Sequence, residues 1–165
     1  MLSDTRQTVA AIATAPGRGG IGIVRVSGPD AHVILQRVFT AGTEKSVLDP
    51  RVMHHGWAHS ISTGERIDEV LAWWARGPAT YTGEDTAEIH AHGGPVVLKE
   101  ILTATLHAGA RVAEPGEFTR RAYLAGRIDL AQAESVAALI EANTHRAARV
   151  AREHLEGRLS AELCD

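Results

Sequence analysis

A glycine-rich loop between two apolar runs is the feature that most limits how this chain can fold. Residues 8–14 and 21–27 are rich in Val, Ile and Ala, and the loop between them, 16–20, reads Pro-Gly-Arg-Gly-Gly. Runs of β-branched residues bounded by glycine and proline are typical of strands. We therefore predict two strands joined by a tight connection, with Arg25 inside the second strand. An arginine in a packed strand needs a partner, because an unpaired buried charge is unfavourable.

The segment 81–95 combines acidic residues and histidines with several glycines, and it is the best functional candidate. Within it, residues 86–92 alternate apolar and polar side chains, which is the pattern of a strand with one packed face. An extended backbone would place Glu88, His90 and His92 together on the polar face. We expect this face to bind a ligand and the opposite face to pack.

Further strand and helix signals alternate along the chain. Apolar residues recur at helical spacing in 29–41 and 95–107, and strand-like runs occupy 52–59, 67–75 and 111–113. The first two of these strand-like runs flank a polar turn and predict a hairpin, whose two adjacent tryptophans we expect to be half-buried packing residues. The pattern predicts an α/β or α+β fold in which at least two helices cover a sheet.

The composition changes at Asp129, where an alanine-rich stretch without proline begins and continues to the C-terminus. Apolar residues recur along it at helical spacing, which predicts a long helical segment. Even with a break near Asn143 and Thr144, roughly thirty residues at ~1.5 Å per residue would extend ~50 Å. We expect an arm of this length to pack against partners outside this chain.

Composition and charge exclude several classes of protein. The chain has 165 residues, of which 44% are hydrophobic and 22% charged, and its net charge is −3, as in ordinary folded domains. No basic arm for nucleic acid is visible, and no apolar run approaches the ~20 residues that span a bilayer. The single cysteine, Cys164, excludes an intramolecular disulfide, and residues 1–7 do not resemble a secretory signal. We therefore expect a cytoplasmic protein.

Nucleotide hydrolysis is not expected from this chain. Its only lysines are Lys45 and Lys99, and neither stands in the G-x-x-x-x-G-K-[ST] pattern of a phosphate-binding loop. Arg25 occupies the position of the third glycine in a dinucleotide fingerprint read from Gly20, and no G-x-S-x-G nucleophile turn is present. The glycine loop is thus either a tight connection or the lining of a ligand site.

Several interpretations of the polar residues stay open. Glu88, His90 and His92 could share a metal ion, or a histidine could serve a turn hydrogen bond. Alternatively, the Glu88 carboxylate offers two parallel acceptors to a ring with adjacent N–H donors. Arg25 and Arg127 offer forked donors to carboxylates or carbonyls, and a surface ion pair is the other interpretation of each. We assign no catalytic residue and no metal ligand.

Four sequence blocks, in order along the chain, resemble the N-terminal region of the MnmE/TrmE family of tRNA uridine-modification GTPases. The blocks are residues 16–28, 81–95, 115–122 and 126–134. The resemblance implies an α+β fold, in which a mixed β-sheet with covering helices forms an aminomethyltransferase-like tetrahydrofolate-binding domain. A long C-terminal helical segment would follow this domain.

The resemblance also implies a ligand, a domain division and partners. The ligand would be 5-formyltetrahydrofolate or a related one-carbon tetrahydrofolate, contacted by Arg25, Glu88 and Arg127. Residues 1–118 would form the folate-binding and dimerisation domain, and residues 119–165 the start of a helical domain, without the GTPase domain. The family modifies the wobble uridine of tRNA together with the flavoprotein MnmG, so a homodimer, an MnmG-like flavoprotein and tRNA are the expected partners. The other hypotheses are a folate-independent dimerisation module and a small metal-dependent hydrolase.

Overall fold

A computed structural model describes residues 7–42 and 48–156 of the chain, and within them it contains seven strands and five helices. The strands are β1 (Val9–Ile12), β2 (Gly19–Ser27), β3 (Phe39–Ala41), β4 (His54–His59), β5 (Arg66–Ala75), β6 (Thr86–Gly93) and β7 (Arg111–Val112). The helices are α1 (Ala31–Val38), α2 (Pro95–His107), α3 (Glu117–Leu124), α4 (Leu130–Glu141) and α5 (His145–Leu155). None of the helices in these two ranges is long and apolar enough to cross a membrane.

All seven strands form one sheet in the order β3-β4-β5-β6-β2-β1-β7. Neighbouring strands are antiparallel except β1 and β7, which are parallel, so the sheet is mixed. The predicted α+β architecture, with a mixed sheet and covering helices, is confirmed. The two predicted strand pairs, β1 with β2 and β4 with β5, are also present as antiparallel neighbours.

The hydrophobic core lies between one face of the sheet and helices α1 and α2. Alternate residues of each central strand enter it, as the period-2 pattern of a half-buried strand requires. In α1 the buried residues are Ala31, Ile34, Leu35 and Val38, at the i, i+3, i+4 and i+7 spacing of one helix face. The opposite face of the sheet, which we call the outer face, carries Ile23 and Arg25 of β2, Leu71 and Trp73 of β5, and Glu88 and His90 of β6.

One predicted helix is too long. The segment expected to be helical through residue 41 leaves the helix after Val38, and Phe39–Ala41 instead forms β3 beside β4. Phe39 has extended backbone angles and its ring is buried, which matches the preference of aromatic and β-branched residues for a pleated, half-buried surface. The pairing places Phe39 opposite Ala58 of β4, a long-range contact that helical periodicity cannot reveal.

The chain separates into two compact units. The sheet unit comprises residues up to 80 together with 84–115, and it contains the whole sheet with α1 and α2. The helical unit comprises 81–83 and the residues from 116 onward, and it contains α3, α4 and α5. The predicted division into domains 1–118 and 119–165 stays a prediction about the longer protein.

The helical unit contains a hairpin where a single long arm was expected. Asp129 and Gln132 form a capping box at the start of α4, and Thr144 caps α5 by accepting a hydrogen bond from the backbone N–H of Ala147. The Gln132 side chain donates to the backbone oxygen of Leu155 at 2.8 Å, so the beginning of α4 lies beside the end of α5. The two helices have 12 and 11 residues and each spans only ~18 Å, so the expected ~50 Å arm is wrong. Cys164 lies outside the described residues.

Candidate ligand-binding site

The sheet register places three polar side chains in one row on the outer face. Arg25 of β2 stands directly opposite Glu88 of β6, and Trp73 of β5 stands opposite Glu88 on its other side. The alternation along β6 is as predicted, because Ala87 and Ile89 are fully buried in the core while Glu88 and His90 belong to the other face. Two adjacent strand pairings therefore bring together residues that are 63 and 15 positions apart in sequence.

Three side chains donate to the Glu88 carboxylate. Arg25 Nε donates to Oε1 at 2.8 Å, and Trp73 Nε1 donates to Oε2 at 3.1 Å. His90 Nε2 lies 3.0 Å from the same Oε2. An ionised carboxylate only accepts hydrogen bonds, so this nitrogen of His90 carries its proton. We call these four residues the Glu88 cluster.

The Glu88 cluster favours the ionised carboxylate. Burial, which leaves Glu88 only 7% exposed, would by itself raise its pKa. Hydrogen bonds from Arg25 and His90, the charge of Arg25 and the bond from Trp73 outweigh burial and hold the pKa of Glu88 below its ordinary value of 4.5. The stabilisation is therefore present above pH 4.5 and is lost as the pH falls through the lower pKa of the folded state. At neutral pH the outer face presents a negatively charged acceptor.

His92 does not join the Glu88 cluster. Its Nδ1 lies 2.8 Å from Oδ1 of Asp68, and its backbone N–H donates to Oδ2 of the same residue at 2.8 Å. Within residues 7–42 and 48–156, no group of three or more His, Cys, Asp or Glu side chains has the arrangement of a metal site. The structure therefore does not bring Glu88, His90 and His92 together around one ion.

Replacing Asp68 with Asn should lower the pKa of His92 toward its ordinary value of 6.5. The hydrogen bond to Asp68, followed by the negative charge of Asp68, raises the pKa of His92, and the amide removes the charge. Because the pKa is raised in the folded state, the ion pair contributes below pH 6.5 and is lost as the pH rises through the folded value. An NMR titration of the His92 ring measures this change. Asp49→Asn is the control, and an unchanged His92 titration in Asp68→Asn would contradict the assignment.

Arg127, the third predicted contact, belongs to the helical unit. It follows α3, and its backbone N–H donates to the oxygen of Ala122 at 2.9 Å. Its side chain is exposed. The structure brings Arg25 and Glu88 together within the sheet unit, whereas the role of Arg127 stays a prediction.

Comparison with known proteins places the chain in a family. Residues 8–127 match the family model described as GTP-binding protein TrmE N-terminus. The chain belongs to the TrmE N-terminal family. This TrmE N-terminal chain is 53% identical over 167 residues to the tRNA modification GTPase MnmE of Bordetella petrii, a match that covers 99% of the chain and 36% of that protein. It is 49% identical over 163 residues to the MnmE of Syntrophus aciditrophicus, covering 99% of the chain and 35% of that protein.

The resemblance noted from the sequence blocks is thus confirmed. The TrmE N-terminal chain spans about a third of the length of the curated relatives it matches. It corresponds to their N-terminal region.

Sequence reasoning missed Trp73 as a member of the site in this TrmE N-terminal chain. The two adjacent tryptophans were expected to be packing residues, and Trp74 is one: it is buried, stacks on His32 with ring centroids 3.8 Å apart, and donates to Leu48 O at 2.8 Å. Trp73 points to the opposite face and contacts Glu88. Neighbouring residues of a strand point to opposite faces, so the sequence alone places the two tryptophans on different faces. The partner of Trp73, however, depends on the β5–β6 register, which the sequence does not specify.

The glycine loop forms the predicted β1–β2 connection, and Gly22, which follows it in β2, serves packing. A side chain at Gly22 would collide with Leu98 of α2, because the nearest atom of Leu98 lies 2.4 Å from the position of an added Cβ. A surface cavity of about 310 Å³ lies beside the loop, and a larger one of about 650 Å³ lies between α2 and the β4–β5 turn. Neither is lined by the Glu88 cluster. We place the candidate site at the cluster because a nearly buried, ionised carboxylate is the stronger chemical signal.

Proposed function

We propose that this chain binds a one-carbon tetrahydrofolate, such as 5-formyltetrahydrofolate, as a module of a tRNA wobble-uridine modification GTPase. The observation that supports it most is Glu88, an ionised and nearly buried carboxylate on the outer face of the sheet. The relatives are named tRNA modification GTPases, which supports the proposed system. The finer form of this proposal is that the sheet unit has an aminomethyltransferase-like tetrahydrofolate-binding fold.

The donor and acceptor groups fit a reduced pterin. The pterin ring presents a ring N–H and an adjacent amino group, and a carboxylate offers two parallel acceptors to such a pair. The guanidinium of Arg25 holds the carboxylate in place and ionised, through the 2.8 Å bond from Nε. In this proposal Arg127 supplies a second forked donor to polar parts of the ligand. The one-carbon chemistry comes from the folate, and the chain binds and orients it.

The experiment that tests this proposal is calorimetric titration with 5-formyltetrahydrofolate. Glu88→Gln should weaken binding by about 100-fold, because loss of a charged acceptor from a buried hydrogen-bonded pair costs about 2 to 5 kcal/mol. Glu69→Gln is the matched control, since Glu69 is an exposed carboxylate on β5 that lies 2.6 Å from His55 and outside the Glu88 cluster. Thermal melting should show that both variants are folded. Equal affinity of the wild type and Glu88→Gln would overturn the proposed site.

We also propose that the chain forms a homodimer through the outer face of the sheet. One side chain at this face is Leu71, which is 43% exposed and stands opposite His90. Burial of exposed apolar surface is the main favourable contribution to most protein–protein association. This surface also favours the second candidate function, a dimerisation module that does not bind folate. That alternative predicts a dimer with no heat of folate binding.

Leu71→Asp should convert the dimer to monomer, because a charge in an apolar interface core is unfavourable. Sedimentation velocity measures the change in molar mass. Val33→Asp is the control, since Val33 is also an exposed apolar residue but lies on α1, on the other side of the sheet. A dimer that persists in Leu71→Asp, or dissociates equally in both variants, would contradict the use of the outer face.

In the longer protein, the proposed partners are an MnmG-like flavoprotein and tRNA, and the proposed compartment is the cytoplasm. In this proposal, GTP hydrolysis belongs to parts of the longer protein outside the region that corresponds to this chain. The part of the family's reaction proposed for this chain is therefore recognition of the one-carbon donor and pairing of two subunits.

A further inference from the structure

The Glu88 carboxylate is nearly saturated with donors from the protein itself. A carboxylate has about four acceptor positions, two on each oxygen. Arg25 uses one position on Oε1, whereas Trp73 and His90 both bond to Oε2. One position on Oε1 therefore has no side-chain donor, whereas both positions on Oε2 are occupied.

Recognition of two parallel N–H donors, on which the proposed folate function rests, therefore requires a change in this arrangement. Such a pair needs one acceptor position on each oxygen. One of the two donors on Oε2 must therefore leave when the ligand binds. Arg25 does not occupy the second oxygen, since its Nε bonds to Oε1.

His90 is the donor that can leave. Its side chain retains 22% exposure, so a rotated ring can donate to water in place of Glu88. Trp73 carries a larger apolar ring that is partly buried, and its rotation would expose that apolar surface. We infer that His90 is a displaceable donor, which occupies the second oxygen of Glu88 until a heterocycle with two adjacent N–H groups replaces it.

The inference makes His90 a specificity-determining residue. A ligand with a single N–H donor uses only the open position on Oε1 and leaves His90 in place. A ligand with paired donors breaks the hydrogen bond between His90 and Glu88 and forms two hydrogen bonds to Glu88 in its place. The chemical class selected in this way is the 2-amino-4-oxo heterocycle, whose amino group and ring N–H lie side by side.

Replacing His90 with Ala should strengthen binding of 5-formyltetrahydrofolate about tenfold, because a hydrogen bond to a charged group no longer has to be broken. The 2-desamino analogue, which lacks one donor of the pair, should bind wild type and His90→Ala equally. His92→Ala is the matched control, since His92 lies on the same strand but bonds to Asp68. It should leave both affinities unchanged.

A second measurement needs no variant. The ¹⁵N signal of His90 Nε2 in the wild type should move toward that of a solvent-exposed imidazole when 5-formyltetrahydrofolate is added, and should stay fixed with the desamino analogue. A fixed signal with 5-formyltetrahydrofolate would show that His90 remains bonded and would overturn the inference.

The outcomes separate this inference from the folate proposal. Tighter binding by His90→Ala supports the inference, and so does binding by His90→Ala where the wild type does not bind. Equal or weaker binding by His90→Ala, with normal binding by the wild type, overturns the inference alone. No binding by either protein overturns the folate proposal, and the inference fails with it.

Discussion

Replacing Gly28 with Ala is expected to destabilise the protein by about 4 kcal/mol, because backbone strain and steric overlap each cost about 1 to 3 kcal/mol. Gly28 follows β2 with a φ of 135°, a conformation that residues with a Cβ rarely adopt. An added Cβ would lie 2.6 Å from Cα and 2.8 Å from Oγ1 of Thr8. Thr8 cannot yield easily, since its Oγ1 accepts a hydrogen bond from the backbone N–H of Asp30 at 2.9 Å.

Gly17→Ala is the matched control for this prediction. Gly17 has a φ of 130°, close to that of Gly28, but an added Cβ would have no atom within 4 Å. The free energy of unfolding of Gly17→Ala should fall only by the cost of backbone strain, about 1 to 2 kcal/mol. The free energy of unfolding from urea denaturation measures both variants. If both variants lost the same free energy of unfolding, the contact between the new Cβ and Thr8 would have relaxed, and backbone strain alone would account for the loss.

The second large effect is expected from Arg121→Met, which should destabilise the helical unit by about 3 to 5 kcal/mol. Arg121 and Glu117 are 2% and 1% exposed, and Arg121 donates from Nη2 at 2.9 Å and from Nε at 3.2 Å to Oε1 of Glu117. Removing the arginine leaves a buried carboxylate without its main counter-charge. The loss should appear in urea denaturation followed by the helical circular dichroism signal.

The exposed pair Arg149 and Glu153 supplies the control. These residues have the same i, i+4 spacing, but the closest atoms are 4.0 Å apart and both side chains are solvent-accessible. Arg149→Met should change stability by no more than about 0.5 kcal/mol, as for other exposed pairs. The double variant Glu117→Met with Arg121→Met should recover part of the loss, because it also removes the buried carboxylate that has lost its nearest counter-charge. A single Arg121→Met variant as stable as the control would contradict the account.

Elements with a clear period were predictable from the sequence. The apolar alternation in β6 predicted the right faces, because burial of one face fixes which residues turn inward. The helical spacing in 95–107 matches α2, which has those bounds. Arg25 and Glu88 were both singled out as ligand contacts, but their direct pairing depends on the β2–β6 register, which neither strand specifies alone.

None of the errors could be avoided from local periodicity alone, and each has its own physical reason. Phe39–Ala41 becomes a strand through its pairing with β4, and α4 turns back onto α5 through caps at Asp129 and Thr144. Helix α3 was not predicted at all, since its apolar residues are few and its buried face holds the Glu117–Arg121 pair. Trp73 joined the site only through the β5–β6 register. Local periodicity contains none of this information.

The two edges of the sheet have a consequence for how copies of the protein associate. The edge strands β3 and β7 contain only three and two residues, so they offer little unpaired backbone to an incoming strand. Long, flat edge strands recruit further strands without limit, whereas short ones end the ladder. An isologous face-to-face contact closes after two subunits, whereas addition of strands at an edge can continue into fibres. At its two edges the sheet therefore offers little template for open-ended polymerisation.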